Sequence, residues 1–192
     1  KKPKKLINFN HIIKERNGIL PKMLIVYCTH KSSGNYTTAK RLQFHFQNSI
    51  IYNTNDSLSE EKFDHILAIN AIRSTEFLET SYKPYSIILS GTDTICDDEE
   101  IIKKVTKVLQ KAKNVITFNQ KMANRSEKLY GINNIKIIPQ AVDISLENHD
   151  LEIESDYYLW IGEIRSIKNI NLLVDIAKKY PTSKNDHQFI EL

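Results

Sequence analysis

Arg165 and Lys168 follow an apolar run, Tyr157-Tyr158-Leu159-Trp160-Ile161, that ends in Gly162 and gives way to a periodic helix over residues 170–180. Run, loop and helix read as strand, connection and helix. The glycine lets backbone come close to a ligand, and the two cations then stand on the loop where open α/β sheets bind anions. Four other polar loops invite the same reading: residues 29–34, residues 70–73, residues 91–97 with Gly91-Thr92-Asp93 at their start, and Asn119-Gln120. Gly34 sits just before a helix start and can approach a phosphate. The loops contain no His-x-Glu, Cys pair, Ser elbow, P-loop or Gly-x-Gly-x-x-Gly. Those absences disfavour a metal or triad hydrolase, a nucleoside triphosphatase and a dinucleotide site.

Positioning these loops falls to a regular alternation of elements. Residues 23–28 form an apolar run without alternation, expected to be a strand covered on both faces. A helix capped by Asn35 follows, with Ala39, Leu42 and Phe46 on one side. Strands are expected over 49–52, 65–70, 86–90, 115–118 and 135–138, and helices over 59–63, 72–79, 98–113 and 120–130. The helix over 98–113 has the plainest stripe, Ile101, Ile102, Val105, Val108, Leu109 and Ala112, with acids at its start and lysines at its end. Strand and helix alternating in this way predict an α/β fold, a Rossmann-like parallel sheet with helices on both faces. The expected plan is a basic extension at 1–22, a Rossmann-like domain at 23–140, a linker at 141–156, and at 157–192 the opening strand and helix of a second α/β domain cut short.

The chain has 192 residues, 41% hydrophobic and 26% charged, with 5 Gly and 5 Pro, which places it among globular chains. That length accommodates one full Rossmann-like domain and a piece of another. Cys28 and Cys96 are too few for a disulfide framework and lack partners at metal-ligand spacing, so a reducing compartment, the cytoplasm, is expected. Net charge is +4, much of it in Lys1, Lys2, Lys4 and Lys5, and indicates no nucleic-acid face. Leu6, Phe9 and Ile13 share a possible helical face flanked by basic residues, a lesser expectation of contact with an acidic membrane surface. No window reaches the roughly 18 apolar residues of a membrane span, and no secretory-signal pattern is visible.

Four segments, in order, resemble a known family: Ser33-Gly34-Asn35-Tyr36-Thr37-Thr38-Ala39-Lys40-Arg41; Gly91-Thr92-Asp93; Ile138-Pro139-Gln140-Ala141-Val142-Asp143; and Gly162 through Lys168 with Leu172-Leu173-Val174-Asp175. They look like the retaining GT-B glycosyltransferases of family 4, most of all the glycosyltransferase 1 domain-containing subgroup. The resemblance implies sugar transfer from a nucleotide-diphosphate donor to an acceptor, with retention, no obligatory metal and no cofactor beyond the donor substrate. It implies that Arg165, Lys168 and Gly34 meet the donor diphosphate. Gly91, Thr92, Asp93 and Asn119 would then line the acceptor side. Glu163 stands directly after Gly162, where the wider family has its arginine, and Ser90 stands where related enzymes often carry a histidine. No residue is singled out as catalytic, and the 192-residue piece is expected to lack activity by itself.

Plainer readings stand beside these. Asp97 and Asp98 suit the start of the following helix, and Asp93 suits either that role or the cleft. Gly34 and Gly91 relieve turns, Arg165 and Lys168 serve equally as solvated loop charges, and Trp160 fits a core. At the level of the chain, the alternatives are a non-catalytic partner-binding relative and a nucleotide-sugar epimerase of GT-B fold. Acceptor, donor sugar, base and oligomeric state stay open.

Overall fold

The computed structural model describes residues 22–27, 33–54, 63–140, 160–161, 168–180 and 189–190. The chain divides into two compact units, Lys1–Val142 and Asp143–Leu192. In the first unit, β1 (Met23–Tyr27), β2 (Ser49–Asn53), β3 (His65–Ile69), β4 (Tyr85–Ile88), β5 (Asn114–Thr117) and β6 (Lys136–Ile137) make one sheet. All five pairings are parallel, in the order β2-β1-β3-β4-β5-β6. Met23 sets the register, lying opposite Ser49 on one side and His65 on the other. This is the Rossmann-like sheet the alternation predicts.

Every residue of β1 is buried, as a strand covered on both faces requires. Successive side chains serve opposite faces. Met23, Ile25 and Tyr27 pack with Leu67, Ile69 and Ile88 against Ala39 of α1 (Gly34–His45). Leu24 and Val26 pack with Ile66, Ala68 and Ile87 in a larger cluster that takes in Leu78 of α2 (Ala71–Thr80), Val105, Val108 and Leu109 of α3 (Glu99–Lys111), and Tyr130 of α4 (Gln120–Tyr130). The chain steps one way from β1 to β2 and the other way from β3 through β6, so right-handed crossovers send α1 to one face and α2, α3 and α4 to the other. The reversal between β2 and β3 makes the carboxyl ends of β1 and β3 a topological switch point.

Helix α4 has the bounds its pattern predicts, with Gly131 closing it at φ 61° in the left-handed region. Most other boundaries shift by a residue or two, and three of the differences bear on the sheet edge. Ser33, not Asn35, caps α1; its hydroxyl accepts the Tyr36 N–H at 3.2 Å, and Asn35 falls inside the first turn. Strand β3 ends at Ile69 because Asn70 turns to φ 72° and caps α2. Strand β4 ends at Ile88, and the Ser90 N–H goes to a side chain instead of the ladder.

In the second unit, β7 (Trp160–Ile161) pairs in parallel with β8 (Phe189–Ile190), and α5 (Ile170–Lys179) lies between them in sequence. The expected lead-in over 6–13, most of the helix over 59–63, the linker at 141–156, Cys28 and Arg165 lie outside the described residues. Among the described residues, no helix is long and apolar enough to cross a membrane.

Candidate functional site

Asn70, Ser90, Thr92 and Asp93 meet at the carboxyl edge of the sheet, just beyond β3 and β4. The Asn70 backbone donates to the Ile88 carbonyl at 2.9 Å, which continues the β3–β4 ladder by one bond. Its side chain then works in two directions. The amide oxygen accepts the Arg73 N–H at 2.9 Å and so caps α2, while the amide nitrogen donates to Ser90 Oγ at 2.7 Å and Thr92 Oγ1 at 2.8 Å. Asparagine is the non-glycine residue best suited to a positive φ, since its short polar side chain bonds locally.

Asp93 is fully buried, in the short 3-10 turn over Thr92–Thr94. One carboxylate oxygen accepts the Ile72 N–H at 3.0 Å and the other the Ser90 N–H at 2.6 Å. The acid therefore fills the start of α2, where a helix ordinarily attracts an anion. Burial pushes its carboxyl above the ordinary carboxylate range, and the backbone N–H groups of Ile72, Ser90 and Ala71 pull the other way. From the opposite side, the Tyr130 hydroxyl donates to the Asp93 carbonyl. Burial, then the charges of Asp93 and Cys96, push that phenol well above its usual range. Asp93 thus ties β4, α2 and α4 together, and it is Asp98 that caps α3, accepting from Glu100 and Ile101.

The other residues singled out in the sequence stand nearer solvent. Gly91 and Thr92 are exposed on the turn that Asp93 anchors. Gly34 is exposed as the first residue of α1, and a Cβ there would meet nothing within 4 Å. No acid occupies the first turn of α1. Gln140, beyond β6, reaches back to Thr38 of the same helix at 3.0 Å. Asn119 is exposed after β5 and caps α4 by accepting the Met122 N–H at 2.9 Å. The first unit therefore gathers Gly34, Gly91, Thr92 and Asn119 along one sheet edge. Lys168 belongs to the second unit, exposed just before α5, where Asn169 adopts φ 48°; Arg165 is outside the described residues.

Asn70 is the residue that sequence reasoning missed within a loop it had marked. The available signal was an asparagine at a strand-to-helix junction. Nothing local announces the reach of Asp93 back to Ile72 or that of Tyr130 to Asp93, which span 21 and 37 residues. Among the described residues, no group of three or more His, Cys, Asp or Glu side chains is placed to hold a metal ion.

Fold and edge together define a Rossmann-like α/β protein with polar loops collected at the carboxyl ends of its strands. No protein-family model matches the chain. It is similar to glycosyltransferase 1 domain-containing protein 1 of Xenopus tropicalis, 24% identical over 188 residues, covering 83% of this chain and 54% of that protein. The chain thus spans about half the length of the curated relative it matches.

Proposed function

We propose that the chain is part of a retaining glycosyltransferase of GT-B type that moves a sugar, a hexose in the first instance, from a nucleotide-diphosphate donor to an acceptor. The observation that carries this reading is the similarity to a glycosyltransferase 1 domain-containing protein over 83% of a chain whose first unit is a parallel Rossmann-like sheet. In this reading Arg165 and Lys168 hold the donor diphosphate. Departure of a nucleoside diphosphate develops negative charge, which Arg meets with a planar fork and Lys with a point charge, so no metal is required. Gly34 allows backbone to approach the diphosphate or the transferred sugar. Gly91, Thr92 and Asn119 face the acceptor, and Asp93 serves that side from beneath by holding the turn that carries Gly91 and Thr92. The cytoplasm is the proposed setting, with nucleotide sugar and acceptor as partners and no nucleic acid.

Calorimetric titration of nucleoside diphosphates and nucleotide sugars tests it. Arg165→Gln and Lys168→Gln should each weaken nucleoside-diphosphate binding by about 1.5–3 kcal/mol, the scale of hydrogen bonds to charged groups. Affinity unchanged in both variants would remove the two residues from the site. No binding by the folded full-length protein, with the 192-residue piece as control, would remove the transferase reading itself.

A further inference from the structure

Beside α1, on the side of edge strand β2, lies a groove of about 300 Å³ lined by Tyr27, Tyr36, Lys40, Gln43, Ile51 and Asn53, with Ile50 at its rim. Tyr36, Lys40 and Gln43 recur at helical spacing and form one wall, while β2 and the end of β1 supply the other. The Tyr27 and Tyr36 rings pack at 5.2 Å between centroids, tilted by 49°, and give the groove an aromatic end. Lys40 Nζ donates to Gln43 Oε1 at 3.3 Å, which keeps the ammonium along the wall. Among the described residues, the lining includes no acidic side chain.

We propose that this groove binds a phosphorylated sugar unit. Its volume lies at the lower end of small-molecule sites, the scale of one hexose. A sugar ring offers an apolar face to tyrosine and a circle of hydroxyls to the Gln43 and Asn53 amides. Lys40 supplies the point charge that a phosphate requires. Because Tyr36 stands two residues beyond Gly34, a ligand here lies along the helix whose start faces the sheet edge. That the bound unit is the acceptor rests on the transferase reading; that the groove binds it does not.

The test is titration of the full chain with glucose 6-phosphate, with glucose and inorganic phosphate as separate probes. Saturable binding of glucose 6-phosphate is expected, with each fragment at least about tenfold weaker, since each lacks one of the two contact sets. Lys40→Gln should weaken glucose 6-phosphate about tenfold and leave nucleoside-diphosphate binding unchanged. Ile50→Glu, at an exposed edge-strand position, places an acid at the groove rim and should weaken it as well. Absence of glucose 6-phosphate binding by folded wild-type chain, or full affinity in Lys40→Gln, would overturn the groove while leaving any diphosphate binding intact. Lys40-dependent binding of glucose 6-phosphate would uphold the groove whether or not diphosphate binding is seen, and only the absence of diphosphate binding from the full-length protein, which carries the rest of the second domain, would overturn the transferase.

Discussion

Helices α1 and α2 both begin at the carboxyl edge of the same sheet, one after β1 and the other after β3, yet their first turns are satisfied in different ways. The start of α2 is closed from within: Asn70 caps it, and the buried Asp93 carboxylate accepts from Ile72. At α1, a neutral Ser33 caps through Tyr36, Gly34 stands exposed, and the first turn carries no acid. A helix start is a region of partial positive charge. At α2 the protein places its own anion there; at α1, among the described residues, it places none, and a Cβ on Gly34 would meet nothing within 4 Å. Two superficially equal strand-to-helix junctions therefore differ in what satisfies them, and the difference can be measured.

Asp93→Ala should produce the largest change, because it strands the Ile72 and Ser90 N–H groups and removes the anion at the α2 start. A loss of about 3 kcal/mol in urea unfolding is expected, and a loss below about 1 kcal/mol would mean the carboxylate does not hold the junction. Asn70→Ala should cost about 2 kcal/mol, from the lost cap and from alanine at positive φ. Asn70→Gly should recover the backbone part of that loss and no more.

A smaller effect comes from the opposite edge of the sheet. His65 lies 3.0 Å from Ser86 Oγ, which also accepts from Asn114, and burial followed by the Lys113 charge lowers the imidazole pKa below its ordinary 6.5. The unfolded chain therefore takes up a proton as pH falls through about 6.5, and the folded chain resists doing so. This contribution is fully present above that pH and is lost below it. The melting temperature should drop on acidification, and less steeply in His65→Gln. An equal pH slope in both proteins would remove His65 as the cause.

Gly34→Ala should change stability least, raising it by about 0.5 kcal/mol, since the position is helical and a Cβ meets nothing. Nucleoside-diphosphate affinity should fall in the same variant if backbone at the α1 start approaches the diphosphate. A gain in stability with unchanged affinity would make Gly34 a turn residue only.

The parallel sheet was legible because burial on both faces leaves a direct mark in the run Met23-Leu24-Ile25-Val26-Tyr27, and the α3 stripe leaves another in Val105, Val108 and Leu109. Polar closures leave weaker marks. Ser33 and Asn35 are both good caps, and only backbone geometry chooses between them. Gly91-Thr92-Asp93 could be placed at the sheet edge, but whether Asp93 turns outward to a ligand or inward to α2 depends on a partner 21 residues upstream. Gly34, Gly91, Thr92 and Asn119 fell on one edge because their loops follow strands, a matter of topology. Asn70 went unremarked because its backbone conformation follows from tertiary contacts.

The central place of β1 also bears on how the chain comes to be folded. Its five residues are buried, and both its neighbours are supplied by later sequence, β2 beginning at Ser49 and β3 at His65. During synthesis this strand emerges before any partner exists for its two open edges, and a parallel pairing cannot form by a tight local hairpin. Until roughly forty further residues follow it, at the pace of chain elongation, this wholly apolar strand is a sticky intermediate, exposed to aggregation or to a chaperone for seconds.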